Sequence, residues 1–106
     1  MSLDQTIVAL ADPTRRDLIR RLAREPLRAS DLAQGFPISR PAISKHTRVL
    51  SRAGLIRARK IGRERIYELA PKGGQAMKQM IREFDEMSRM WDRALEAFKT
   101  YAEAKK

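Results

Sequence analysis

The amino-acid sequence predicts a mainly α-helical fold with one small β-hairpin, and two observations carry that expectation. Apolar residues recur at spacings of three and four through most of the chain, the period of a helix with one buried face. Only between residues 55 and 70 does the pattern switch to alternation around a glycine, the period of a hairpin. Both patterns fit into 106 residues, enough for one small domain that buries a modest share of its surface and gains from a partner.

The first helix is short, with Leu3, Ile7 and Leu10 along one side, and ends near Ala11. Asp12 then stands as an N-cap with Pro13 at the first helical position, where a missing N–H costs nothing. Leu18, Ile19, Leu22 and Ala23 form the apolar stripe of this second helix, which runs to about Arg24 and is broken by Pro26. Ser30 is positioned to cap a shorter third helix through Asp31, Leu32 and Ala33, ending around Gly35. Phe36 and Ile38 bracket Pro37 in the turn that follows.

Ser39 caps a fourth helix over residues 39–53, and Gly54 suits its left-handed exit. At about 100° per residue, Ile43, Leu50 and, less comfortably, Thr47 share one side, while Pro41, Ser44, Lys45, Arg48 and Arg52 share the other. The apolar side docks and the basic side faces out. A helix placed so soon after another short helix makes a helix-turn-helix, whose second member lies in the DNA major groove with its N-terminal residues at the base edges. The helix carries no acidic residue, as a face that meets phosphates requires.

After Gly54 the hairpin begins. Ile56 and Ala58 alternate with Arg57 and Arg59, a turn falls at Gly62, and Ile66, Tyr67 and Leu69 return. Period alone leaves open which face of the second strand is buried, because Ile66 competes with Tyr67 and Leu69. Lys60, Arg63 and Arg65 make the tip basic, which gives the winged form of the motif, with the hairpin at the DNA backbone or minor groove. The net charge of the chain is +10, and residues 39–65 hold nine Lys or Arg against the single acid Glu64. The positive charge is thus concentrated in one segment, and a surface merely scattered with cations for solubility is the weaker reading.

From about Gly74 one helical pattern persists to the C-terminus. Met77, Ile81, Phe84, Ser88, Trp91, Leu95, Phe98 and Ala102 alternate spacings of four and three, widened by Met80, Met87, Ala94 and Tyr101. So small a domain cannot cover the stripe by itself, and the same helix of a second chain is the expected cover. A break near Ser88 would instead let the helix fold back on its own core. Residues 1–71 are therefore read as the DNA-binding part and residues 72–106 as a dimerisation helix within the same structural domain.

The chain has no cysteine, which excludes disulfides, thiolate metal sites and thiol sensing. His46 is its single histidine, and one imidazole cannot assemble a zinc site, so it is read as a residue at the edge of the docked face, with a phosphate contact as the lesser alternative. Acid pairs such as Glu83 with Glu86 and Asp92 with Glu96 are solvated or paired with neighbouring Lys and Arg on the same helix. No nucleophile elbow and no phosphate-cradling glycine loop occurs, so neither an enzyme nor a cofactor is expected. Nothing resembles a signal peptide or a membrane span, which makes a cytoplasmic protein the expectation.

The segments "ALADPTRRDLIRRLA", "SRPAISKHTRVLSRAGLI" and "RKIGRERIYELAP" resemble the ArsR family of bacterial winged-helix repressors over residues 5–71. The tail with "MWDRALEAFKTY" is similar to a metal-independent, autorepressor-like branch. The resemblance implies a homodimeric transcriptional repressor that binds operator DNA near promoters, with Arg40, Ser44 and Lys45 at the groove and Arg63 at the wing. It also implies no metal sensing, because the cysteine pair and the histidine-containing sites of metal-sensing members have no counterparts here. Thr47 stands where the family usually has leucine.

The function expected is sequence-specific binding of a palindromic double-stranded operator through Ser39, Arg40, Pro41, Ser44, Lys45, Arg48 and Arg52, with Lys60, Arg63 and Arg65 at the wing. Leu3, Ile7, Phe84, Met87, Trp91, Leu95 and Phe98 are expected at the dimer interface. An architectural or non-specific nucleic-acid-binding protein is the alternative. The sequence names no small-molecule effector.

Overall fold

The computed structural model describes residues 3–105. Five helices and three strands follow one another as α1 (Leu3–Leu10), α2 (Pro13–Arg24), β1 (Leu27–Arg28), α3 (Ala29–Leu32), α4 (Arg40–Arg52), β2 (Ile56–Ile61), β3 (Glu64–Leu69) and α5 (Gly73–Ala104). The strands form an antiparallel sheet in the order β1-β3-β2. The architecture is a winged helix-turn-helix with a long C-terminal helix.

Local chemistry sets most boundaries. The Asp12 carboxylate accepts from the N–H groups of Thr14 (2.8 Å) and Arg15 (3.1 Å), so α2 starts where Pro13 fixes the backbone. Ser39 Oγ accepts from Ala42 N–H at 3.3 Å and caps α4. At the other end Leu55 N–H reaches Leu50 C=O and Gly54 N–H reaches Ser51 C=O, both at 3.0 Å, a Schellman closure that needs the positive φ of 76° at Gly54. The turn so made is also where α5 begins. A Cβ on Gly73 would sit 3.2 Å from the Leu55 backbone, and glycine lets the helix start against it.

The core joins Ala9, Leu18, Leu22, Leu32, Leu50, Leu55, Ile56, Tyr67 and Ala76 from every part of the chain. Three details differ from the sequence reading, and a fourth decides what it left open. Ala23 is exposed, since the core-facing stripe of α2 stops at Leu18 and Leu22 with Ile19 at its edge. Ser30 does not cap α3: the helix already begins at Ala29, Arg28 holds the cap position, and no side chain caps it. The hairpin is one part of a three-stranded sheet, because Leu27 and Arg28 pair with Tyr67 and Ile66. Tyr67 takes the buried position on β3, leaving Ile66 half-buried and Leu69 exposed.

Helix α5 runs unbroken through Ser88 for 32 residues, about 48 Å at 1.5 Å per residue. Its first turns reach the core through Ala76 and Met77. The remainder projects, stretching the molecule to 66 × 30 × 20 Å. The radius of gyration is 18.3 Å, against about 13 Å for a compact chain of this length.

Candidate nucleic-acid interface

The two faces of α4 separate as its sequence dictates. Ile43, Thr47 and Leu50 are buried, while Arg40, Pro41, Ser44, Lys45, Arg48 and Arg52 are exposed. Thr47, only 3% exposed, takes the place of an apolar residue because its hydroxyl donates to Ser44 C=O at 2.9 Å and leaves its methyl to pack. Pro41 lies in the first turn, where its lack of an N–H breaks no helical bond. Arg40, Ser44 and Lys45 therefore sit together at the N-terminal end of an exposed face.

The wing divides its cations between two faces. Arg57 and Arg59 both pair with Glu68, at 3.0 and 2.5 Å, and Arg28 pairs with Glu64 at 3.0 Å and with Asp31 at 3.4 Å. These charges neutralise one another across the outer face of the sheet. Lys60 and Arg65 are directly opposed across β2 and β3 on the face shared by Ala58 and Tyr67, with Arg63 in the turn between the strands. Like charges so opposed weaken a hairpin, and a polyanion relieves the repulsion. Among the described residues, Arg40, Lys45, Arg48, Arg52, Lys60, Arg63 and Arg65 have no acidic partner within ion-pair distance. The basic segment thus holds seven free cations, because Glu68, outside residues 39–65, engages the other two.

The arginines of "DPTRR" hold the fold together. Arg15 donates from Nε to Ala9 C=O at 2.7 Å and from Nη2 to Val8 C=O at 2.9 Å, and Arg16 Nη1 donates to Leu10 and Ala11 C=O at 2.9 Å each. Together they satisfy the carbonyls at the end of α1. Arg21 stacks over Phe36, 4.1 Å from the ring centroid, and donates to Leu32 and Gln34 C=O, which pins the turn leading into α4. His46 is half-buried, with Nδ1 3.2 Å from Arg15 Nη1. It belongs to the docked edge of α4. Burial alone would raise the Asp12 carboxyl, but the N–H groups of Arg15 and Thr14, with the neighbouring His46 and Arg15 side chains, outweigh it and hold the group below its ordinary value. The sequence alone does not signal this network, because its partners are backbone carbonyls that only the fold leaves open.

Of the residues expected at a dimer interface, Leu3, Ile7 and Met87 are half-buried, while Phe84, Trp91, Leu95 and Phe98 are exposed. Trp91 shows 59% of its surface and Phe98 70%. An apolar cavity of about 430 Å³ lies between α1, α2 and α5, lined by Ile7, Leu10, Met77, Met80 and Phe84 among others. Phe84 also lines a second groove along α5 with Trp91, Leu95 and Phe98, so the apolar surface runs from α1 as far as Phe98. Among the described residues no cluster of His, Cys, Asp and Glu could hold a metal ion, and no helix is long and apolar enough to cross a membrane.

A family model described as a helix-turn-helix domain matches residues 10–59. The chain is 41% identical over 97 residues to the HTH-type transcriptional regulator Rv2034 of Mycobacterium tuberculosis, covering 92% of this chain and 85% of that protein. It is also 41% identical over 76 residues to a transcriptional repressor SmtB homolog of Synechocystis sp., covering 66% of this chain and 58% of the relative. The crystal structure of an ArsR family transcriptional regulator, RHA00566, superimposes with a TM-score of 0.70 at 36% identity, covering 82% of this chain and 90% of that one.

Proposed function

The chain belongs to the ArsR family of winged helix-turn-helix, DNA-binding transcriptional regulators, and we propose that it works there as a homodimeric, metal-independent repressor reading a palindromic operator. The observation that carries this reading is the exposed, acid-free face of α4 beside the unpaired cations of the wing. Arg40, Ser44 and Lys45 read base edges in the major groove, Ser39 and Pro41 set where the helix starts against it, and Arg48 and Arg52 hold phosphates. Lys60, Arg63 and Arg65 carry the wing onto the backbone or into the minor groove. Residues 1–71 do the reading, and residues 72–106 do the assembly within one structural domain.

The continuous apolar surface of α1 and α5 supports the dimer, with Leu3, Ile7, Phe84, Met87, Trp91, Leu95 and Phe98 in its interface. Two-fold symmetry then places two α4 helices in successive major grooves about 34 Å apart. The absence of cysteine and the single histidine, already engaged by Arg15, support metal independence. Competition between promoter DNA and bulk genomic DNA tests the reading. The repressor should prefer its site by about 10³ or more, and equal retention on both would refute it. Micromolar zinc or cadmium should leave the complex intact, and release by either metal would refute metal independence.

A further inference from the structure

In α4, Ile43 and Leu50 pack on the core by apolar contact, which is non-directional. Its directional tie to the rest of the protein is the contact of His46 with Arg15, and no other side chain of α4 makes a hydrogen bond or ion pair outside its own helix among the described residues. A guanidinium only donates, so in this contact His46 Nδ1 is the acceptor. The same guanidinium holds Val8 and Ala9 C=O at the end of α1, and α1 packs against α5. One side chain therefore fastens the recognition helix to the helix pair that bears the apolar surface.

We propose that Arg15 and His46 are a positioning pair that sets the angle of α4 relative to the dimer axis, and so the half-site spacing the protein accepts. The proposal rests on the dimeric operator-binding reading above. Its leverage is geometric: α4 is about 20 Å long, and a 10° swing about one end moves the other by about 3 Å. Such a shift hardly affects one half-site, where the protomer re-seats as a rigid body. On a palindrome both protomers share one axis and cannot re-seat independently. Recognition constellations must be held to about 10–20° to remain productive.

The test uses the full chain and a palindromic duplex selected by the wild type from a randomised library, with single half-site duplexes and duplexes whose central spacer is one base pair longer or shorter. His46→Phe fills the ring's place without an acceptor and leaves the Arg15 caps of α1 intact. His46→Asn returns an acceptor near the Nδ1 position. Arg15→Lys keeps the charge but cannot serve Val8, Ala9 and His46 at once. Both His46→Phe and Arg15→Lys should remain dimeric and bind a half-site within about twofold of wild type. Each should bind the palindrome about tenfold more weakly, a part of the about 10²–10⁴ gained by linking two sites, and should lose the preference for one spacer. His46→Asn should restore both. Equal losses on half-site and palindrome would make His46 a DNA contact or a simple structural residue, and wild-type affinity with wild-type spacer preference would make the pair idle. Either result overturns the proposal. A wild type that selects no palindrome, or binds it as a monomer, would instead overturn the dimeric reading beneath it.

Discussion

The α4 face with its wing and the outer face of α5 are both exposed, and they differ in what exposure means. Among the described residues, seven cations without an acidic partner sit in water at little cost. The α5 stripe of Phe84, Trp91, Leu95 and Phe98 is unfavourable in water, at about 25 cal/mol per Å² of apolar surface. The first face waits for its partner and the second is driven toward one. The repressor proposed above would use this asymmetry, with the apolar face assembling two chains and the assembly presenting two basic faces at a set separation.

Experiments that disturb one face and not the other sharpen that contrast. Salt should have the largest effect, because it screens the basic face and spares the apolar one. Operator affinity should fall by about 10³–10⁵ between 50 and 200 mM salt, while the sedimentation of the free protein stays unchanged. A flat salt response would break the electrostatic half of the account. Trp91→Asp reverses the experiment by placing a charge in the apolar stripe. It should give a monomer and cost about 10²–10⁴ in operator affinity, although every residue proposed to face DNA is intact. Full affinity in this variant would show that α5 does not assemble the protein.

Within the basic face, Arg40→Ala should cost about 1–3 kcal/mol on the operator and relax the base preference at one position of each half-site. Arg63→Ala should weaken operator and random DNA alike. Equal losses on both DNAs for Arg40→Ala would remove it from base readout. The smallest effect belongs to neither face. Asp12→Ala removes the cap of α2 and should lower thermal stability by about 1 kcal/mol without changing sequence preference. Because the folded protein holds the Asp12 carboxyl below its ordinary value, its stabilisation is present at neutral pH. That stabilisation should disappear as pH falls through the folded-state value, so thermal melts of variant and wild type should converge in acid.

The ends of α2 and α4 were legible because their signals are local: Asp12 before Pro13, Ser39 before Pro41, and Gly54 after the last turn. The wing was legible from alternation around Gly62 and the apolar stripe of α5 from its period, whereas the continuity of α5 through Ser88 was left open. Strand β1 was not, because two residues have no period and Leu27 finds its partner, Tyr67, far along the chain. The same pairing carries the chain straight from β1 into α3, so Ala29 is already helical and Ser30 comes too late to cap it. The charge of the candidate site was overcounted for a similar reason, since Glu68 lies outside the basic segment and only sheet register brings it to Arg57 and Arg59. The roles of Arg15, Arg16 and Arg21 are contacts with backbone carbonyls, and side-chain chemistry alone does not say which carbonyls a folded chain leaves open.

We propose that the apolar face of α5 builds the dimer through which two basic faces read one operator. Analytical ultracentrifugation of the wild-type protein, alone and titrated onto its selected palindromic duplex, tests it most directly. A dimer at micromolar concentration and two chains on each duplex, bound together with no intermediate carrying one chain, are expected. A monomer in solution, or a stable complex of one chain per palindrome, would contradict it.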